Sequence, residues 1–143
     1  GLAGTLHPEI EPHLRGCPNV RLAGFVARVE EVYRAASVHV FPSLCEGSAK
    51  ATYEAAACGL PQIATRESGD VVADGVNGIV IPADDPDALA EALVRLHGDA
   101  GLRARMGAAG RERVLAGFTW GHFAGRLRAA WGRAAGLAVV LQN

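Results

Sequence analysis

Short β-rich runs alternate with helical stretches along most of this chain, and proline or glycine marks most of the switches. Residues 20–24 alternate apolar and polar side chains and close on Gly24, the pattern of a strand. Residues 38–41 form a second β-rich run stopped by Pro42, residues 62–65 a third, and residues 78–81 a fourth before Pro82. Between them, Val29, Val32, Tyr33 and Ala36 share one helical face. The Ala-rich segment 47–58 reads as a helix ended by Gly59 and Pro61. Asp85 can cap a further helix with Pro86 in its first turn and Leu89, Leu93 and Leu96 as its buried stripe. Everything after Gly101 reads as helical, with breaks near Gly107, Gly110 and Gly117 and a last helix capped by Thr119. Strands joined by helices imply a parallel sheet covered on both faces, so the expected class is a doubly wound α/β domain with C-terminal helices.

At 143 residues the chain has the size of one domain, and half of it is hydrophobic, enough for a core. Fourteen basic side chains against 15 acidic ones argue against a nucleic-acid partner, which selects a basic surface. Cys17, Cys45 and Cys58 lack metal-ligand spacing and read as reduced, mostly buried thiols of a cytoplasmic protein. His7, His13, His39, His97 and His122 are scattered, so no metal is expected, and His39 reads as a packed or edge residue. The longest apolar runs, such as 134–141, fall short of the about 20 residues that span a bilayer. The beginning, Gly1-Leu2-Ala3-Gly4, lacks signal-peptide order and reads as a strand entered midway.

In an open parallel sheet, ligands bind where strand ends feed helix N-termini. After residues 38–41 the chain reads Pro42-Ser43-Leu44-Cys45-Glu46-Gly47-Ser48-Ala49-Lys50, then continues to Glu54 and Cys58-Gly59-Leu60-Pro61. Small residues opening a helix let its free N–H groups approach a phosphate, with the helix dipole adding attraction. A carboxylate beside such a site needs hydroxyl or cationic partners, and sugar hydroxyls fit Glu46 and Glu54. Taken singly, Glu46 reads first as a helix cap and Glu54 as a solvated or ion-paired residue, since lone glutamates are usually surface residues.

The stretch as a whole resembles the Glu-x7-Glu signature of retaining glycosyltransferases of the GT-B fold, the group 1 type. Pro42-Ser43, Glu46-Gly47, Glu54-Ala55 and Cys58-Gly59-Leu60-Pro61 stand at matching spacing. Residues 19–26, the turn Asp74-Gly75-Val76-Asn77-Gly78, Met106-Gly107 and Phe118-Thr119-Trp120 extend the resemblance over nearly the whole chain. It implies a Rossmann-like C-terminal GT-B domain that binds the donor: one partial domain over 1–143, with 118–143 as a helical tail. The implied activity is transfer of a sugar from a nucleotide diphosphate sugar to a hydroxyl acceptor with retained configuration, without cofactor or metal. By the resemblance, Glu46 contacts donor-sugar hydroxyls and is the catalytic candidate, while Glu54 binds the ribose. The amides of Gly47, Ser48 and Ala49 meet the diphosphate, and Phe25 and Val26 lie near the base.

Departures from the family pattern shape further expectations. The family's Gly-Phe-Gly-Leu is replaced by Gly47-Ser48-Ala49-Lys50, and Lys50, the only lysine, reads either as a solvated residue or as an added diphosphate contact. The family's upstream Arg and Lys for the diphosphate have no match, nor does its N-terminal acceptor domain, so the chain alone is expected to be inactive. Self-association through an exposed edge is a further expectation, and the resemblance leaves room for peripheral membrane association of a longer parent enzyme. Trp120 is expected in the core, whereas Trp131 and residues 138–141 are expected to lack a partner. The alternatives are a non-catalytic nucleotide-binding or assembly module of the same fold, a sugar-nucleotide epimerase, and a generic α/β domain. No Gly-x-Gly-x-x-Gly follows a strand to support a dinucleotide site.

Overall fold

The computed structural model describes residues 2–3, 8–14 and 16–135. Its elements run β1 (Leu2–Ala3), α1 (Glu11–Leu14), β2 (Leu22–Gly24), α2 (Val29–Ala35), β3 (His39–Phe41), α3 (Lys50–Ala57), β4 (Gln62–Thr65), β5 (Gly78–Ile81), α4 (Pro86–Gly98), α5 (Ala100–Gly117) and α6 (Trp120–Ala135). A single 3₁₀ turn, Arg66–Ser68, follows β4. Among the described residues every strand pairing is parallel: β1 with β2 in one small sheet, and β3-β4-β5 in a second.

The central strand β4 is buried along its whole length, and its alternating side chains face two different layers. Ile63 points into a cluster with Ile81, Ala92, Leu96 and Met106, contributed by β5, α4 and α5. Its neighbour Gln62 points the opposite way, donating from Nε2 to the Thr52 carbonyl of α3 at 3.0 Å. Gln62 also stands beside His39 in register, with His39 Nδ1 and Gln62 Oε1 3.0 Å apart. Helices therefore cover both faces of the sheet, the doubly wound arrangement expected from the strand–helix order.

The expected strands 62–65 and 78–81 coincide with β4 and β5, and Asp85 caps α4 by accepting from the Ala88 N–H at 2.9 Å. Thr119 caps α6, its hydroxyl accepting from the His122 N–H at 3.4 Å. Other expectations need correction. Helix α3 starts at Lys50, not Gly47, because Ala49 adopts an extended conformation. Leu93 is 40% exposed, and Ala92, one turn before Leu96, is the residue that joins the core cluster in its place. Helix α5 runs unbroken through Gly107 and Gly110 and ends only at Gly117. Gly107 serves close approach instead: a β-carbon there would collide with the Gly59 carbonyl at the end of α3. Trp120 is 78% exposed and is not a core residue. Cys17 and Cys45 are exposed and Cys58 half-buried, so the cysteines are not core thiols. Helix α2 buries none of its residues fully. Residues 138–141 lie outside the described residues. Among the described residues, no helix is long and apolar enough to cross a membrane.

Candidate functional site

The loop between β3 and α3 is held by hydroxyl groups from the end of β4. Thr65 Oγ1 donates to the Ser43 carbonyl at 2.5 Å, and Ser68 Oγ donates to the Phe41 carbonyl at 2.8 Å. Ala49 N–H donates to the Ser68 carbonyl at 3.1 Å, tying the start of α3 to the same turn. Gly69, at φ +115°, lets the two segments touch: a β-carbon there would stand 3.3 Å from Ser48 Cα.

This packing leaves a cleft of about 1550 Å³ at the carboxyl ends of β4 and β5, reached by the N-terminal part of α3 and by α6. Gly47, Ser48, Lys50 and Glu54 all line it. Four other sequence candidates, Glu46, Ala49, Phe25 and Val26, are not among its lining residues. Ala49 is buried with its amide committed to Ser68, so it offers no free donor to a ligand, contrary to expectation. The Gly47 and Ser48 amides meet no backbone carbonyl among the described residues. No side chain caps α3 at Ala49; the Thr52 N–H donates to the Ala49 carbonyl at 3.1 Å, and the Lys50 and Ala51 N–H groups stand at the positive end of the helix dipole. Glu46 is exposed on the loop, and Phe25 is 87% exposed.

Glu54 is paired twice. Lys50 Nζ lies 3.0 Å from its Oε1, and the Tyr33 hydroxyl donates to its Oε2 at 3.5 Å. Burial, reinforced by the Glu54 charge, pushes the Tyr33 phenol up to about 12, which keeps it a neutral donor. Of the readings open for Glu54 alone, the structure therefore displays ion pairing.

A second network went unseen in the sequence. Tyr53 donates to Asp70 Oδ1 at 2.6 Å, and Ser48 Oγ approaches the same phenol at 2.6 Å. A phenol has one hydrogen, so Ser48 must donate to Tyr53. Burial and the Asp70 bond together raise the Tyr53 pKa. Phe118 packs against Tyr53 with ring centroids 5.5 Å apart, and the Arg113 and Arg126 guanidinium carbons lie 5.4 and 6.0 Å from the centre of the Phe118 ring. Arg66 and Arg126 add positive charge to the cleft lining. Arg66 follows the end of β4 directly, so the strand-end rule could have flagged it. Arg126 and Tyr53 carried no comparable signal, because tertiary packing alone brings them to the cleft.

The Asp74–Gly78 turn builds the wall beside this network. Asn77 accepts from Ala73 N–H at 2.7 Å and donates to the Val71 carbonyl at 3.0 Å, while Asp74 Oδ1 accepts from Val80 N–H at 2.9 Å. Among the described residues, no group of three or more His, Cys, Asp or Glu side chains converges as a metal cage would require.

The family model for glycosyl transferases group 1 matches residues 2–99. D-inositol 3-phosphate glycosyltransferase of Thermobifida fusca is 38% identical over 106 residues, covering 73% of this chain and 23% of that protein. The chain thus spans about a quarter of the length of the curated relatives it matches. Among solved structures, sucrose-phosphate synthase of Thermosynechococcus elongatus superposes with a TM-score of 0.78 at 30% identity, over 90% of this chain and 33% of that one. HepE of Anabaena, solved with UDP, superposes with a TM-score of 0.70 at 19% identity, over 79% of this chain and 35% of that one, a likeness of fold. With a family model matched over more than half of its length and a relative 38% identical over 73% of it, this chain belongs to the glycosyl transferases group 1 family.

Proposed function

We propose that this chain is the donor-binding part of a retaining glycosyltransferase, one that moves a sugar from a nucleotide diphosphate sugar to a hydroxyl acceptor. The observation that carries the reading is the meeting of Gly47, Ser48, Lys50 and Glu54 along one cleft at the strand ends. Free amides and the α3 dipole suit a diphosphate, and a carboxylate further along the same helix suits ribose hydroxyls. Arg66 and Arg126 supply cations on the same lining, placed to offset the negative charge of a diphosphate. Glu46 remains the candidate for the donor-sugar hydroxyls, reached from the loop rim, and Phe25 and Val26 for the base. Acceptor recognition belongs to a partner domain, so the chain alone binds donor without transferring it. No metal or other cofactor is required in this reading.

HepE, as the fold neighbour solved with UDP, sets the ligand class to try first. Calorimetry of the 143-residue chain with UDP, GDP and ADP and their sugars is the test. Binding of one nucleotide series, weakened about tenfold or more by Glu54→Gln, supports the site, since a hydrogen bond to a charged group carries that order of energy. Absence of binding by every nucleotide favours instead a non-catalytic assembly module of the same fold.

A further inference from the structure

We propose that Lys50 is a shared cation: it neutralises Glu54 until a ligand binds and then transfers to the ligand's phosphate, so that anion and hydroxyls are recognised as one unit. The inference rests on the donor-site reading above and assigns a specificity device within it.

Three features of the pair support this. Lys50 is 77% exposed at its side chain and Glu54 32%, so the 3.0 Å contact is wet and its partner is exchangeable. Lys50 is the first residue of α3, where the helix dipole repels a cation, and the order Lys-then-Glu is the weaker orientation of an i,i+4 pair. An anion arriving at the cleft reverses that local balance, because it attracts both the dipole and the ammonium. Glu54 is not left adrift when Lys50 leaves. Tyr33 still holds Oε2, and Oε1 becomes free to accept from a ligand hydroxyl.

The spacing also defines the ligand. One helical turn separates the two residues, a rise of about 6 Å. The class that fits carries an anionic group and vicinal hydroxyls that far apart, as a nucleoside diphosphate does. A neutral nucleoside offers the hydroxyls alone and must displace Lys50 from Glu54 without compensation. A free diphosphate offers the charge alone and leaves Glu54 Oε1 without a partner, with only Tyr33 on Oε2.

The experiment compares the 143-residue chain with its Lys50→Met and Lys50→Arg variants, titrating UDP, GDP and ADP and the matching nucleosides by calorimetry, with thermal unfolding confirming the fold. For Lys50→Met, the expected result is opposite in sign for the two ligands. Diphosphate affinity falls about tenfold or more, while nucleoside affinity rises about twofold as the competing pair disappears. Lys50→Arg restores the original order. Equal effects on both ligands, or none on either, overturn the shared-cation proposal while leaving the donor site standing. A parent chain that binds neither ligand class overturns both.

Discussion

Tyr53 donates its only hydroxyl hydrogen to Asp70 while accepting from Ser48, joining α3, the post-β4 turn and the β3–α3 loop at one oxygen. Tyr53→Phe removes both 2.6 Å bonds but keeps the ring that packs 5.5 Å from Phe118. With a typical net worth of about 0.5–1.5 kcal/mol per hydrogen bond, reduced by partial exposure, the expected loss is about 1–2 kcal/mol in urea denaturation. Tyr53→Leu loses the ring contact as well and should cost more. Equal stability of the Phe variant and the parent chain would show that the network does not hold the loop.

Two glycines of α5 should respond in opposite ways to alanine. At Gly107 the new methyl meets the Gly59 carbonyl, which is backbone and gives little, so Gly107→Ala should destabilise by about 1–3 kcal/mol. At Gly110 the nearest atoms, on Asn77, stand 3.5 Å away, an ordinary contact. Gly110→Ala should therefore be neutral or gain up to about 1 kcal/mol from helix propensity. Thermal unfolding of the two variants side by side checks the contrast.

These glycines also mark the boundary of what the sequence made legible. Local rules worked where local chemistry decides: the Asp85 cap, the Thr119 cap and the strands β4 and β5 all stand at the expected residues. Gly107 and Gly110 read as helix breaks by propensity, yet α5 runs through both, and only at Gly107 does a neighbouring backbone require the missing β-carbon. Trp120 looked like core because large aromatics usually are, yet its place depends on how α6 leaves α5. At the site, Gly47, Ser48, Lys50 and Glu54 were readable from one continuous stretch. Tyr53, Asp70 and Arg126 were not, because their meeting spans segments far apart in the chain and only packing brings them together.

His39 makes stability sensitive to mild acid. Burial between β3 and its neighbours lowers its pKa below the ordinary 6.5, opposed in part by its bond with Gln62. The unfolded chain then takes up the proton first as pH falls, so unfolding is favoured in that window. The stabilisation is fully present above pH 6.5 and is lost as pH drops through the depressed folded value. The urea midpoint should fall between about pH 7.5 and 5 in the parent chain. His39→Asn should be less stable at neutral pH but show a flatter acid limb. A parallel acid limb in both proteins would place the titrating group elsewhere.

Nucleotide binding should survive chelation of divalent metal. The diphosphate charge in this reading is met by Lys50, Arg66 and Arg126 along the cleft and by the open amides at the start of α3. Each contact of this kind is charge-assisted and needs no bridging ion. Calorimetry in excess EDTA and in magnesium should therefore give affinities within about a factor of two, a difference of about 0.4 kcal/mol. Rising ionic strength, by contrast, should weaken binding, because the three cations are exposed and their attraction is screened beyond about 10 Å at 0.1 M salt. Arg126→Ala should lower nucleotide affinity and reduce that salt dependence together. Binding that requires magnesium and is indifferent to Arg126 would assign the neutralising charge to a metal instead of the protein.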